Sequence, residues 1–167
     1  TAHVAHGLKI ASNTVNVPEG MLSGAVRWLK NYQERQTALL EQGDKFRKLE
    51  QLPDGPEKKE ALRKLGNYRL TASATDTLVY SVLAECGVKN LPMERYLFRD
   101  RLELPVISQI QLAEILLDAH RMDDFNKVMP VISQFLQQDD SLQTAWLRLP
   151  NAGYWWRWYG SSAATQA

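Results

Sequence analysis

The sequence predicts a mainly α-helical fold of stacked α-hairpins with one short, aromatic-rich β-hairpin near the C-terminus. Through most of the first 136 residues, apolar side chains recur every three or four positions, which is the spacing of amphipathic helices. The helix pairs follow one another about 35–50 residues apart, a size that suits α-hairpins stacked in a solenoid or a closed ring. Four of the five tryptophans lie in residues 142–162, where the apolar spacing shortens to the period of a strand.

Length, charge and cysteine content narrow the class of protein. A chain of 167 residues can bury the core of one domain. The net charge is +1 and no basic stripe stands out, which disfavours nucleic acid as a partner. No apolar run approaches the roughly 18–20 residues that span a bilayer, and we expect no signal peptide within this sequence. The single cysteine, Cys86, excludes an internal disulfide, and its position near a helix end favours a buried, inert thiol.

The first two predicted helices form an antiparallel hairpin. Residues 1–12 carry one apolar face, made by Val4, Ala5, Leu8 and Ala11. Pro18 suits the first turn of the second helix, which we expect to run to Gln42 with Gly43 as its C-terminal stop. Its inward stripe consists of Leu22, Ala25, Val26, Leu29 and Tyr32, flanked by Met21 and Trp28.

Residues 43–70 differ in character and are predicted to be a charged helical insertion. They are dense in Lys, Arg and Glu, and a Pro-Asp-Gly-Pro break at residues 53–56 divides them. Mixed-sign charge favours a solvated face over the alternative of a basic surface for a partner. A thin apolar stripe would attach the segment to the body: Phe46, Leu49, Leu52, Leu62 and Leu65. On this interpretation, Lys58→Ala is nearly silent.

The next helices are strongly apolar. One spans residues 76–85 and ends at Gly87, another follows Pro92 over residues 93–101, and Pro105 opens a third. Asp123 is the predicted N-cap of a fourth, which Pro130 should kink or split. Predicted core positions of these helices are Leu78, Val79, Val82, Leu83, Tyr96, Leu97, Ile107, Ile110, Ala113, Leu116, Leu117, Phe125, Val128, Ile132, Phe135 and Leu136.

The β-hairpin is predicted to join strands at residues 142–148 and 154–159 through turn residues 150–153. It has three interpretations: a lid packed on helix ends, a surface that docks another domain, or a platform on which sugars stack. We expect the structural lid or the docking surface. The possible contact residues are Trp146, Tyr154, Trp155, Trp156, Trp158 and Tyr159.

No metal site is predicted. His3 and His6 lie three residues apart on a helix and could share a zinc ion, but such a site needs a third ligand. His120 is the only other histidine, and no carboxylate has ligand spacing. Surface or partly packed histidines are therefore favoured.

No catalytic residue or cofactor is predicted either. The pairs Asp123/Asp124 and Asp139/Asp140 suit helix ends better than the facing carboxylates of a glycosidase. A Ser/His/Asp set, a Gly-rich phosphate loop and a CxxC pair are all missing from the sequence.

The order of the segments carries a family resemblance. The segments are TAHVAHGLKIAS, VPEGMLSGAVRWLKNYQ, TDTLVYSVLAECGV, ISQIQLAEILLDAHRMDDFNKVMPVISQFLQ and WYGSSAATQA. Taken together, they resemble the thioester domain of the α2-macroglobulin family, particularly its bacterial members. The resemblance covers nearly the whole chain except residues 43–70.

This resemblance implies that residues 1–167 are a fragment, roughly the later half or two-thirds, of an α/α toroid. Residues 1–12 lack a helix start, and the last helix signal lies at Ser161 or Ser162, so we expect both termini to be cuts in a larger fold. The parent would be a large extracellular or periplasmic protease trap, in some cases membrane-anchored. In such traps a protease cuts a bait region, and the rearranged molecule acylates the protease through a Cys–Gln thioester.

The family's thioester motif, C-x-E-Q, does not occur here, since Cys86 is followed by Gly87, Val88 and Lys89. The implied role is therefore that of a non-catalytic scaffold whose partners are other domains of the parent, with proteases as the parent's targets. Two alternatives stay open at this point: a carbohydrate-active or terpene-type toroid enzyme, and a helical-repeat module that binds proteins.

Overall fold

The computed structural model describes residues 1–18 and 20–149, and over these it confirms a mainly α-helical chain with a short β-hairpin near its C-terminal end. The chain divides into two compact units, Thr1–Arg99 and Asp100–Ala167. The elements of the first unit are α1 (Ala2–Ala11), α2 (Met21–Glu50), α3 (Pro56–Leu65), α4 (Ala74–Glu85) and α5 (Leu91–Arg99). Those of the second are a 3₁₀ helix (Arg101–Glu103), α6 (Val106–Asp118), α7 (Met122–Ser133), β1 (Leu136–Asp139) and β2 (Thr144–Leu147).

In the first unit, α1, α2 and α4 enclose an apolar core. Its buried members are Ala5, Leu29, Val79, Val82 and Leu83. On α1 only part of the predicted face is buried: Ala5 is fully covered, whereas Val4 is 63% exposed. The central helix of this core, α4, packs against both α1 and α2.

The end of α4 at Gly87 is confirmed. The Gly87 N–H donates to Ala84 O at 2.8 Å and the Val88 N–H donates to Leu83 O at 2.8 Å. This pair of bonds is a Schellman motif, and it requires the left-handed φ of +77° that Gly87 adopts. Glycine is favoured there because it has no Cβ to strain.

The predicted end of α2 at Gln42 is wrong. The helix begins at Met21, after Pro18, and continues through Gly43 to Glu50. A Cβ built on Gly43 would lie 1.9 Å from the carbonyl oxygen of Arg69, so this glycine permits a close backbone approach in the middle of the helix. The glycine is thus explained by a tertiary contact and not by the predicted C-cap.

Residues 66–70 fold back along α2. The Arg69 N–H donates to Leu39 O at 3.0 Å, and the rings of Phe46 and Tyr68 stack with centroids 4.3 Å apart. The predicted apolar stripe is half-buried except at Leu52, which is 49% exposed. That residues 43–70 form an insertion stays a prediction.

Lys58→Ala, nearly silent on the sequence interpretation, is now expected to cost about 1 kcal/mol of unfolding free energy. Its Nζ donates to Glu50 O at 3.0 Å, to Leu52 O at 3.1 Å and to Asp54 Oδ1 at 2.9 Å, which satisfies carbonyls at the end of α2. Urea unfolding measures the loss. The neighbouring Lys59→Ala is the control and should change stability by less than about 0.5 kcal/mol; equal losses would contradict the capping role.

In the second unit, α6 packs against α7. The buried side chains of the two helices include Leu112, Ala113, Leu116, Val128 and Ile132. Two predictions are wrong here, since Leu117 is 46% exposed and Arg121, not Asp123, precedes the first turn of α7. Pro130 does not split α7, which continues to Ser133, and a kink at Pro130 stays a prediction.

Leu116→Ala should destabilise the second unit by roughly 2–4 kcal/mol, because it removes a fully buried side chain and leaves a cavity. Leu117→Ala is a matched control on the next residue of the same helix, and about half of its side chain already faces solvent. We expect it to cost less than about 1 kcal/mol. Thermal unfolding followed by circular dichroism compares the two, and equal shifts would show that the inside and outside of α6 are assigned incorrectly.

A β-hairpin that the sequence did not predict joins Leu136–Asp139 to Thr144–Leu147. Thr144–Leu147 is a strand as expected, and it pairs antiparallel with Leu136–Asp139, in the register Leu136 to Leu147 and Asp139 to Thr144. Leu136, predicted as a core position of the preceding helix, is instead a strand residue that is 43% exposed. The carboxylate of Asp139 organises the turn, since its Oδ1 accepts from the Ser141 N–H at 3.0 Å and the Leu142 N–H at 3.2 Å. The predicted strand at residues 154–159 lies outside the described residues.

Candidate functional site

Of the six aromatic residues predicted as possible contacts, Trp146 is the one that lies within the described residues. It lies on β2 opposite Gln137 and is 40% exposed. Its neighbour Leu147 is 8% exposed, and successive strand residues point to opposite faces, so the hairpin packs through Leu147 and presents Trp146 outward. The other predicted contact residues, Tyr154, Trp155, Trp156, Trp158 and Tyr159, lie outside the described residues, and their role stays a prediction.

The strongest polar cluster in the first unit is a buried ion pair between Arg69 and Asp76. The Arg69 guanidinium donates through Nη2 to Asp76 Oδ2 at 2.7 Å and through Nη1 to Oδ1 at 3.2 Å. Ser73 donates its backbone N–H and its hydroxyl to the same Oδ2, each at 2.8 Å. Gln36 accepts from Arg69 Nη1 at 2.6 Å. The Asp76 side chain has no solvent exposure, and both of its oxygens bind donors.

The electrostatics of this cluster extend to Tyr32 on α2. Burial is the main cause that raises the pKa of the Tyr32 hydroxyl, and the negative charge of Asp76 raises it further. The Arg69 charge acts in the opposite direction. The cluster therefore joins α2, α4 and the 66–70 segment.

A second cluster ties α2 to α5. Asp44 accepts from the Tyr96 hydroxyl at 2.9 Å and from Arg99 Nη1 at 2.7 Å. Arg99 lies over the Tyr96 ring, with 4.7 Å between the guanidinium carbon and the ring centroid. Arg47 and Arg99 both donate to Leu70 O at 2.8 Å, so the carbonyl of the 66–70 segment is held from two helices.

Tyr96 makes stability depend on pH in the alkaline range. Burial, and then the hydrogen bond to Asp44, raise the pKa of Tyr96 from 10.0 to about 12. The folded protein thus favours the neutral phenol, so the contribution of Tyr96 to stability is present in full below pH 10 and is lost as the pH rises from 10 toward 12. Urea unfolding on both sides of pH 10 should show a smaller decline for Tyr96→Phe than for the natural chain. Equal declines would contradict this assignment.

Further buried polar contacts join α4 and α5. The Tyr80 hydroxyl, which is buried, donates to the buried Glu94 carboxylate at 2.5 Å. At the start of α5, Asn90 Oδ1 accepts the Met93 N–H at 3.0 Å, and the Asn90 amide donates to the Thr37 hydroxyl of α2 at 3.4 Å. These contacts fix the position of one helix relative to the next.

Two of the positions considered from the sequence, His6 and Cys86, lie at the end of α4. His6 Nδ1 is 2.7 Å from Glu85 Oε2, which links α1 to the end of α4. Within residues 1–18 and 20–149, no group of three or more His, Cys, Asp or Glu side chains is arranged to hold a metal ion. The half-buried Cys86 thiol has a raised pKa, mainly through burial, against a lowering effect of Lys9. A raised pKa means little thiolate at neutral pH.

One aspartate of each predicted pair stabilises local structure. Asp124 accepts from Lys127 at 3.0 Å and also binds Arg121, and these contacts lower the pKa of its carboxyl. The pKa of the Asp139 carboxyl is lowered by the Ser141 hydroxyl and by the Leu142 N–H of the hairpin turn. Both carboxylates therefore accept hydrogen bonds from residues of the second unit, Asp124 at the start of α7 and Asp139 at the hairpin turn.

A shallow depression of about 570 Å³ lies along α2. All of its lining residues come from that one helix: Tyr32, Arg35, Gln36, Ala38, Leu39 and Gln42. Ligand sites generally need groups that converge from several elements, and this depression does not provide them. No helix in the described part of the chain has the length and apolar character to cross a membrane.

Sequence reasoning missed the two clusters centred on Asp76 and Asp44. The first had a readable signal, because Ser73 and Asp76 have the spacing of a capping box just before an apolar helix. The second had none, since Asp44 and its partners Tyr96 and Arg99 are more than 50 residues apart in the sequence.

No family model, curated protein or solved structure matches this chain. The contacts described above are therefore the physical basis for any functional assignment.

Proposed function

We propose that this chain is a non-catalytic scaffold fragment of a macroglobulin-like protease-trapping protein. The observation that carries the proposal is the use of acidic side chains, of which Asp76 and Glu94 are buried and Asp44 is 40% exposed, as ties between segments of the first unit. Asp76, Glu94 and Asp44 each bind a side chain of another segment, through Arg69, Tyr80 and Arg99 respectively. The order of segments that resembles the thioester domain of that family gives this scaffold its context.

A buried carboxylate that performs chemistry needs an oxygen free to reach a substrate or a proton. Asp76 is 1% exposed and receives hydrogen bonds from Arg69 and Ser73 on both oxygens. Such an arrangement holds the chain in one geometry, as buried ion pairs do when every donor and acceptor is matched. The arrangement supports a framework function for the first unit.

Trp146 supports a docking function for the second unit. An indole that is 40% exposed on a hairpin packed through its other face is an anchor for a neighbouring protein surface, because Trp covers a large apolar area at small entropic cost. On this proposal its partners are other domains of the parent polypeptide, with proteases as the parent's targets. The parent acts outside the cytoplasm, in the extracellular space or the periplasm.

The test uses the full polypeptide that carries this sequence, mixed with trypsin. A trap encloses the protease, so activity on a large substrate such as casein should fall while activity on a small chromogenic peptide persists. Equal loss of both activities, or no loss of either, would contradict the trap.

The docking step is tested by Trp146→Ala, with Trp28→Ala as the matched control, because Trp28 is also an exposed tryptophan and is 49% exposed. Trp146→Ala should weaken enclosure of trypsin and leave the melting temperature unchanged, whereas Trp28→Ala should change neither. Sugar binding by calorimetry that disappears in Trp146→Ala would instead favour a carbohydrate-active protein.

A further inference from the structure

We propose that Asp54–Gly55, in the turn between α2 and α3, is a site of spontaneous backbone modification at which aspartate converts to isoaspartate through a cyclic imide. This is the only Asp-Gly pair in the sequence, and no Asn-Gly pair occurs. The site is independent of the proposed trap function.

The reaction requires an aspartate side chain that can reach the backbone nitrogen of the next residue. The Asp54 side chain is 93% exposed, so no surrounding group restrains it except Lys58. Gly55 has extended backbone, with φ of −171° and ψ of 173°, and no atom lies within 4 Å of the place where a Cβ would be. In the part of the chain that the structure describes, the Gly55 N–H donates no hydrogen bond.

The chemistry needs no co-reactant other than water. The Gly55 nitrogen attacks Asp54 Cγ, a C–N bond forms, and the carboxyl C–OH bond breaks; the hydroxyl leaves as water with the proton of the amide. Water then opens the five-membered imide at either carbonyl. Opening at Cγ restores aspartate, whereas opening at the main-chain carbonyl gives isoaspartate, in which the backbone runs through Cβ and Cγ. Holding the two groups on adjacent residues makes the step intramolecular, which favours it strongly.

Lys58 restrains this reaction. Its Nζ is fixed by Glu50 O and Leu52 O, its side chain is only 17% exposed, and it holds Asp54 Oδ1 at 2.9 Å. A carboxylate held in one orientation samples the attack geometry less often than a free one. Conversion adds one carbon to the backbone immediately before α3 and removes the carboxylate from Lys58, so the modified turn should be cut more readily by proteases.

The experiment incubates the folded chain for several weeks at physiological temperature and follows the tryptic peptide of residues 49–58, which contains no other aspartate. Liquid chromatography should resolve a growing isobaric partner of this peptide, preceded by a species lighter by one water, and an isoaspartyl methyltransferase should label it. Conversion at Asp54 that is no faster than at Asp139, which is fixed by its own turn, would overturn the proposal.

Three variants separate the site from general degradation. Gly55→Ala has room for its methyl group and an allowed φ, so it should fold normally and slow conversion severalfold. Lys58→Ala should accelerate conversion severalfold, whereas Lys59→Ala, a change at the next lysine, should leave the rate unchanged. An unaltered rate in Gly55→Ala, with melting temperatures equal to the natural chain, would overturn the assignment of Asp54–Gly55. An unaltered rate in Lys58→Ala would overturn the restraint.

Discussion

Gly43→Ala is expected to destabilise the unit Thr1–Arg99 by about 4 kcal/mol, beyond the ~1–3 kcal/mol usual for overpacking. The new Cβ would lie 1.9 Å from Arg69 O and 2.8 Å from Arg69 C, whereas real Cβ contacts begin at about 3.0 Å. Relief requires the two backbones to separate by about 1 Å, and close-packed interiors resist such a shift. Because the opposing atoms are backbone, no side-chain rotation can absorb the clash.

The 66–70 segment has little freedom to move away. The Arg69 N–H binds Leu39 O of α2 at 3.0 Å, and its guanidinium binds Gln36 of α2 and Asp76 of α4. Separation of the backbones would therefore break the hydrogen bond to α2 and loosen the buried ion pair. The expected loss includes these contacts as well as the clash.

Gly24→Ala is a matched control in the same helix. No atom lies within 4 Å of its added Cβ, so alanine should stabilise the chain by about 0.5–1 kcal/mol through its higher helix propensity. Urea unfolding followed by circular dichroism gives both values. If Gly43→Ala were as favourable as Gly24→Ala, α2 and the 66–70 segment would not approach each other as described.

Gly43 also shows how far the sequence determines the fold. The periodicity of apolar residues was sufficient to predict that the helices occur and in which order, because it indicates which face of each helix is buried. A glycine after an apolar run, however, signals either a C-cap or a close approach, and only the position of Arg69 decides between them. That contact joins Gly43 to Arg69, which lies in a separate segment, so the residues around Gly43 alone do not predict it.

The hairpin illustrates the same limit in a strand. Residues Leu136–Asp139 read Leu-Gln-Gln-Asp, without the alternation or β-branched residues that predict strands. They become a strand because α7 ends at Ser133, the Asp139 turn reverses the chain, and Thr144–Leu147 supplies the hydrogen-bonding partner. The residues of β1 do not themselves predict a strand, because the strand depends on pairing with β2, which follows the turn.

The candidate site was predictable only where its signal was local. The exposure of Trp146 agrees with the aromatic surface expected from the sequence, whereas the ties made by Asp44 depend on α5 being folded against α2. The sequence predicts that the charged residues of the 43–70 segment face solvent, yet Arg69 pairs with Asp76 and its side chain is only 26% exposed. An arginine is buried only where a carboxylate lies close enough to pair with it, and the composition of a segment does not show where that carboxylate is.

Asp76→Ala should cost about 3–5 kcal/mol of unfolding free energy, because it removes one partner of a buried ion pair and leaves the other uncompensated. The Arg69 side chain is only 26% exposed, so water replaces the lost carboxylate poorly. The Ser73 N–H and hydroxyl lose their acceptor at the same time, which uncaps α4. Since α4 packs against both α1 and α2, the loss should affect the whole first unit.

Graded variants test this account. Ser73→Ala removes only the hydroxyl contact and should cost about 1 kcal/mol. Asp54→Ala is the matched control, since its ion pair with Lys58 involves a side chain that is 93% exposed, and it should cost less than about 1 kcal/mol. In a double-mutant cycle, Arg69→Met combined with Asp76→Ala should lose less than the sum of the two single changes, because neither charge is then left unpaired. Additive losses, or a loss in Asp76→Ala no greater than in Asp54→Ala, would show that the pair does not hold α4 in place.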